Sequence, residues 1–355
     1  MLMVVFGAGA SYDSSPDHLA PANEDIRPPL AQELFTLRRI NAQAASGIPK
    51  SLLLIDQLRH LQPETSVEQE LEKLRDRAKD YPEGKRQLVA IQFYLQWVIS
   101  QTQYEWNQYI HHLTNYRTLL GQIDRHRNGE SVCFVTFNYD TLLEEAFTSL
   151  ASPAMSFSSL NDYVSGGYKV IKLHGSVNWV REIAEPTPTT MVDHVAVANF
   201  AIMDADKVEL GRYHIADLHP QTQPRYVCSF MEVPRRTGRE IVFPAIAIPF
   251  QTKTDFECPH EHQEVLDECI PSTDRLLIIG WKGAEEKFTS LLAAGLKKDI
   301  PKMIVSRNRE SASKISDRLE AFTSVGPNFV GEAGFTGELR SGRIENFLAR
   351  RLPIQ

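Results

Sequence analysis

The 355-residue sequence predicts an α/β fold, a Rossmann-like parallel sheet flanked by helices, with an inserted helical subdomain and an irregular, partly β insertion. Three observations predict it. Short apolar runs at 2–6, 131–135, 168–173, 276–279 and 302–305 have the length and β-branched content of strands buried on both faces. Each run stops abruptly at glycine or at a cluster of polar turn residues. Helical periodicity follows several of these stops, and strand, glycine turn, helix and strand recur between 276 and 305 as a βαβ unit. On this pattern residues 1–355 form one domain. Its core comes from about 1–15, 129–180 and 264–325, with a helical insertion at about 30–128, a proline-rich insertion at about 181–263 and a tail at about 326–355.

Composition narrows the function classes. A hydrophobic share of 42% and a charged share of 23% are those of a globular chain with an ample core. The formal net charge of -7 argues against a chain that grips nucleic acid by itself. No apolar run approaches the roughly 18–20 residues of a membrane span, and the start of the chain has no basic flank or cleavage site, so a cytoplasmic address is expected. Cys133, Cys228, Cys258 and Cys269 include no C-x-x-C pair, against a disulfide framework or a four-cysteine zinc site.

The first strand ends in Gly7-Ala-Gly-Ala-Ser11. Such a turn brings backbone close to a ligand and aims N–H groups at a phosphate; it is equally the form of a plain tight turn. Residues 13–29 read as a connector or as a loop covering a nucleotide site, and Pro29 opens a helix toward Phe35. From about 65 to 127 the period is helical, with a Thr65-x-x-Glu68 capping box and apolar faces at Val67, Leu71, Leu74, Ala78, at Leu88, Ile91, Leu95, Val98, and at Tyr109, Leu113, Tyr116, Leu120, Ile123. Phe93, Tyr94, Trp97, Tyr104 and Trp106 read as packing, and His111-His112 as mid-helix residues with no third metal ligand.

The second strand ends in Thr136-Phe-Asn-Tyr-Asp140, ahead of a helix at 141–149 with a Thr141-x-x-Glu144 box. Asn138 and Asp140 therefore sit at the carboxyl end of a buried strand, where open α/β sheets bind ligands. For Asp140 a capping role fits as well as a ligand contact. The third strand ends in His174-Gly175, an imidazole placed for proton transfer or for a structural hydrogen bond, and 176–179 continues as loop. Residues 181–250 carry seven prolines and short extended runs at 195–200, 225–233 and 241–248, over the sheet edge. Cys258, His260 and His262, with Cys269 beyond, read as a solvated loop rather than a metal site. Gly280, Trp281 and Lys282 precede a helix at 285–297, and Ser306, Arg307 and Asn308 precede one marked by Ile315, Leu319 and Phe322. These turns are placed to meet a second part of a nucleotide.

Taken in order, Gly-Ala-Gly-Ala-Ser, Thr-Phe-Asn-Tyr-Asp, Leu-His-Gly and Ile-Gly-Trp resemble the NAD-site motifs of the sirtuin (SIR2) family. The nearer resemblance is to the prokaryotic SIR2-like domain of antiphage defence NADases, with its Phe-Asn-Tyr-Asp, Leu-His-Gly-Ser and Pro-Pro-Leu-x-x-Glu-Leu stretches; the last is matched by Pro28–Leu34. The matching segments run from Val4 to about Leu319. The resemblance implies that Gly7, Ala8, Gly9, Ala10, Ser11 and Asp13 lie about the NAD pyrophosphate, and Phe137, Asn138 and Asp140 near the nicotinamide ribose. It further implies His174 as the catalytic imidazole, and Gly280, Trp281, Lys282, Ser306, Arg307 and Asn308 at the adenosine end.

The two C-x-x-C zinc pairs of deacylating sirtuins are missing, and no acyl-lysine groove can be pointed to. That favours hydrolysis of NAD to nicotinamide and ADP-ribose, with NAD as substrate and no metal. The resemblance implies an effector that depletes NAD during phage infection. Because little chain follows the sheet, control is expected from homo-oligomer assembly or from a partner protein, such as a HerA-like ATPase or a short Argonaute, with no membrane and no direct nucleic-acid binding. A deacylase or ADP-ribosyltransferase, and a non-enzymatic NAD-binding sensor or scaffold, are the alternatives.

Overall fold

The computed structural model describes residues 1–16, 26–61, 65–78, 81–150, 155–183, 188–189, 194–205, 209–215, 227–228, 239–249, 255–297, 299–320 and 328–350. Most of the 13–29 connector, Phe322 and most of the 225–233 run lie outside the described residues. The strands are β1 (Leu2–Phe6), β2 (Val132–Thr136), β3 (Tyr168–Lys172), β4 (Gly175–Ile183), β5 (Pro188–Thr189), β6 (Leu210–Ile215), β7 (Val227–Cys228), β8 (Arg239–Ile246), β9 (Arg275–Ile279), β10 (Lys302–Val305) and β11 (Asn328–Gly331). No helix among the described residues is long and apolar enough to cross a membrane.

The chain divides into two compact units, Met1–Ala22 with Asn107–His174 and Thr252–Gln355, and Asn23–Trp106 with Gly175–Gln251. The first holds a six-stranded sheet in the order β11-β10-β9-β1-β2-β3, every pairing parallel. This is the expected Rossmann-like sheet. The chain starts in the middle, builds outward through β2 and β3, then returns to the other side of β1 for β9, β10 and β11. The order therefore reverses between β1 and β9, and at such a switch point the following loops part to opposite faces. All five residues of β1, β2 and β9 are buried, as continuous apolar strands covered on both faces must be.

Just past the strand ends the backbone ladder runs on by one residue across the whole sheet. Leu173 N–H donates to Thr136 C=O (3.0 Å), Phe137 to Phe6 (3.1 Å), Gly7 to Ile279 (3.1 Å), Gly280 to Val305 (3.1 Å) and Ser306 to Gly331 (3.0 Å). Every loop at this edge thus leaves from a fixed height. Helices Asn115–His126, Leu142–Thr148, His260–Ser272, Glu286–Gly295 and Arg309–Glu320 belong to the same unit.

The second unit pairs helices with an antiparallel sheet of order β5-β8-β4-β6, with β7 on β8. Its long helix, Pro82–Tyr109, is stitched to that sheet by Gln92, whose amide donates to Ile246 C=O (2.8 Å), and by Gln96, which donates to Val177 C=O (2.7 Å). Phe93, Tyr94, Trp97 and Trp106 are buried, in keeping with a packing role.

Several local expectations need correction. Residues 176–179 are strand, not loop, because the β4 segment finds partners in β6 and β8. The 195–200 run lies in a helix, His194–Met203, since an apolar stretch without alternation fits either element. His260 and His262 open the helix His260–Ser272 rather than a solvated loop, with Cys258 in the bend just before it; Cys258 and His262 are buried, and the His262 ring bonds the Leu160 carbonyl at 2.9 Å. His111 and His112 form a turn with positive φ (52° and 58°) that splits the expected face into two helices. Ser66, not Thr65, caps the helix Val67–Ala78 by accepting from Gln69 N–H at 3.2 Å, and the helix expected from Pro29 is one short 3-10 turn, Ala31–Glu33.

Glycine at 280 is demanded twice over. Its φ of +64° lies in the left-handed region, and a Cβ there would stand 2.3 Å from Ala10 N and 2.5 Å from Gly9 C. Gly280→Ala is expected to lower stability by roughly 2–4 kcal/mol, read as a lower midpoint in urea unfolding. An unchanged midpoint would show that the two turns do not meet as described.

Candidate functional site

The strand ends of the parallel sheet gather most of the candidate residues, in three groups that share side-chain contacts. The first is polar. Asn138 leaves β2 with its own N–H bonded to Thr136 Oγ1 (3.0 Å), which folds the turn back on the strand. Its side-chain amide donates to Ser11 Oγ (2.9 Å) and to Tyr116 Oη (3.2 Å), and those two hydroxyls lie 2.9 Å apart. Asn138 is 7% exposed, and its Oδ1 has no hydrogen-bond partner. A buried acceptor left open is costly and asks for a donor from outside the chain.

The second group is aromatic. His174, 6% exposed, packs edge-on against Phe137 with ring centroids 5.0 Å apart, and Tyr139 lies 6.0 Å away. The residues on both sides of Asn138 therefore lie against the imidazole. Phe137 also stacks on Trp281 (5.4 Å, 6° between planes), and Phe288 meets both rings edge-on. Trp281 is 2% exposed, with its indole N–H on the Glu285 carboxylate, so it serves as packing here rather than as an open stacking surface.

The third group is ionic. Lys172, buried at the end of β3, pairs with Glu144 at 2.9 Å and also donates to the Asp140 carbonyl; Tyr163 donates to the same Glu144 oxygen at 3.2 Å. Asp140 accepts from Leu142 N–H at 3.2 Å and so caps the helix Leu142–Thr148. The Thr141-x-x-Glu144 box does not form, because Glu144 is drawn to Lys172 and the Thr141 hydroxyl donates to Glu145 instead (2.9 Å).

Two amides of the glycine turn are engaged within the chain. Gly7 and Gly9 N–H donate to the Ile279 and Gly280 carbonyls (both 3.1 Å), so these amides hold two turns together. A Cβ on Gly7 would stand 2.6 Å from Gly280 O and Trp281 Cα. Ala8 remains exposed, while Ala10 is buried against Gly280. Asp13 accepts from Thr336 N–H (3.1 Å) and Thr336 Oγ1 (2.7 Å), tying the first loop to the helix Gly334–Arg340. Asn308 accepts from Ser311 N–H (2.9 Å) and caps its own helix; Arg307 and Lys282 are exposed, and Ser306 is half-buried.

A cavity of about 680 Å³ lies at the opposite, amino-terminal edge, lined among others by Arg127, Glu130 and Arg350. Its charges are spent on one another, Glu130 with Arg275 (2.7 Å) and Arg350 (3.6 Å), Arg127 with Asp124 (3.2 Å), and none of the candidate residues lines it. Among the described residues no group of three His, Cys, Asp or Glu is arranged to hold a metal ion.

The family described as SIR2-like domain matches residues 132–203, the segment that carries Asn138, Asp140 and His174. That segment is similar to the SIR2-like domain family. No curated protein matches it in sequence. Similar solved structures include a Sir2 homologue variant in complex with ADP-ribose (13% identity, 99% of this chain and 94% of that one, TM-score 0.41). Others are a Sir2 homologue in complex with NAD (13%, 98% and 90%, 0.40) and Sir2Tm bound to a propionylated peptide (11%, 98% and 94%, 0.41).

Within the matched segment, Glu145 follows the Asp140 cap and bonds Thr141 and the Asn107 amide. Burial, against which these bonds act, pushes its carboxyl up to about 7 from an ordinary 4.5. The folded state then keeps a proton that the unfolded chain has released, so stability falls as pH rises from 4.5 to 7. Glu145→Gln keeps the hydrogen-bonding shape and is expected to remove this slope, worth about 2–3 kcal/mol across the window. Urea unfolding of both proteins at pH 5 and pH 7 checks it; parallel pH dependence in the two would show that Glu145 titrates normally.

Proposed function

We propose that this chain is a SIR2-like NAD glycohydrolase, hydrolysing NAD to nicotinamide and ADP-ribose, and that it acts as an antiphage effector by depleting NAD under the control of a partner or of self-assembly. The observation that supports the reading most directly is the open, buried Asn138 Oδ1, on a turn whose neighbouring residues Phe137 and Tyr139 lie against the His174 imidazole. The family match to 132–203 spans both residues and supports NAD as the dinucleotide.

The chemistry asks little of an acid. Nicotinamide leaves NAD as a neutral molecule, taking the electron pair of the C1′–N bond, so nothing need protonate it. What the site must supply is stabilisation of an oxocarbenium-like ribose and a water on the opposite face. Water oxygen bonds to C1′ and one proton is released, which the His174 imidazole can accept near neutrality. Asn138 Oδ1 can accept from that water or from a ribose hydroxyl. Asp140 contributes by capping the helix that follows, and Lys172 by holding the Asp140 carbonyl, so the turn bearing Asn138 is set before substrate arrives.

Incubating the purified full chain with NAD, alone and with the product of its neighbouring gene, is expected to yield free nicotinamide and ADP-ribose by chromatography. NAD left intact in both mixtures would refute the reading, and ADP-ribose attached to protein would make it a transferase. Asn138→Ala and His174→Ala are each expected to slow NAD consumption by about a hundredfold or more, with near-wild-type circular dichroism. Unfolding of either variant would assign that residue a structural role.

A further inference from the structure

Tyr116 lies outside every strand-end motif, yet its hydroxyl closes the polar group. It comes from the helix Asn115–His126, whose first residue is pinned to the opening loop: Asn115 N–H donates to Ser14 C=O (2.7 Å) and its amide to Asp13 C=O (2.8 Å). The ring is fully buried, edge-on to Phe6 (5.1 Å) and to Phe335 (5.7 Å). Burial, reinforced by the Asp140 charge, pushes the phenol well above its ordinary value, so it stays protonated. Its position is therefore set by β1 and by packing, independently of Asn138.

The three polar atoms form a triangle with edges of 2.9, 2.9 and 3.2 Å. Counting hydrogens settles which way the amide faces. With the NH2 inward, its two hydrogens serve the Ser11 and Tyr116 edges and one hydroxyl hydrogen serves the third. With the oxygen inward, only the two hydroxyl hydrogens remain for three edges. The inward NH2 leaves Oδ1 facing out of the triangle, which is the buried atom without a partner. One hydroxyl hydrogen, from Ser11 or Tyr116, also remains unspent.

We propose that Tyr116 is a positioning residue which, with Ser11, locks the Asn138 amide so that Oδ1 is presented as an acceptor to an O–H donor, either a ribose hydroxyl or the attacking water. The assignment rests on the NAD-cleavage reading above. Without the phenol hydroxyl the amide loses one of its two anchors and can turn over, offering NH2 where an acceptor is needed.

The test uses the full chain with Tyr116→Phe, Asn138→Ala and the double substitution, measuring NAD turnover and, by calorimetry, ADP-ribose affinity. Tyr116→Phe is expected to lower kcat by about tenfold or more, and the double variant to be no slower than Asn138→Ala alone. A matching fall in ADP-ribose affinity in both single variants assigns the donor as a ribose hydroxyl; loss of kcat with affinity unchanged assigns it as water. Full kcat and affinity in Tyr116→Phe would overturn the proposal, as would a double variant slower than Asn138→Ala by the whole Tyr116→Phe factor. Should Tyr116→Phe fail to fold, Ser11→Ala removes the other anchor and is held to the same outcomes. If the wild type binds ADP-ribose but leaves NAD intact, the hydrolase reading falls alone, and the positioning role then stands or falls on whether Tyr116→Phe weakens ADP-ribose binding as Asn138→Ala does. A wild type that neither binds nor cleaves sinks both.

Discussion

The close approach of two strand-end turns, one after β1 and one after β9, sets the architecture of the parallel unit. Gly7 and Gly9 lie directly on Gly280, with backbone hydrogen bonds where side chains would otherwise stand. This contact sits where strand order reverses, so β1 has neighbours to satisfy on both sides at once. Without glycine at these places, β1 and β9 could not keep matched ends, and the ladder that runs one residue past five of the six strands would break in its middle. A level edge is what allows residues from distant parts of the chain to meet side chain to side chain.

On that edge the interior buries an ion pair and a polar triangle. The Lys172–Glu144 pair is almost wholly out of water, and such a pair gives little net stability against an apolar substitute, since desolvation offsets most of its attraction. Its value here is positional. The ammonium also holds the Asp140 carbonyl, and the Asp140 carboxylate caps the next helix, so the turn bearing Asn138 is clamped from behind. In front, Ser11 and Tyr116 clamp the amide. A turn fixed on both sides loses little further freedom when a ligand arrives, which is how a loop acquires the precision of a strand.

Much of the fold was legible from local pattern alone. Buried parallel strands read as unbroken apolar runs, and their abrupt ends at Gly7, Thr136, His174, Gly280 and Ser306 mark where the sheet edge lies. The ordering of those ends carried the family resemblance. What local pattern reads poorly is the second unit. The β4 segment looks like loop until β6 and β8 pair with it, and the apolar stretch within His194–Met203 carries no period to separate helix from strand.

The amino-acid order alone determined which residues reach the carboxyl edge, because a strand's length and its terminating glycine or polar cluster are set by neighbours in sequence. Which of them touch was decided only in three dimensions. Tyr116 looked like one more position on the apolar face of a helix, and Lys172 lies within a run read only as a strand; both acquire partners from segments more than 20 residues away. Asp13 and Asn308 turned out to cap helices, and the opening glycines to make room for another turn. The physical reason is common to all of these. A hydrogen bond or a close backbone contact depends on distance and direction between groups, and for residues far apart along the chain those are set only once the sheet has brought their strands together.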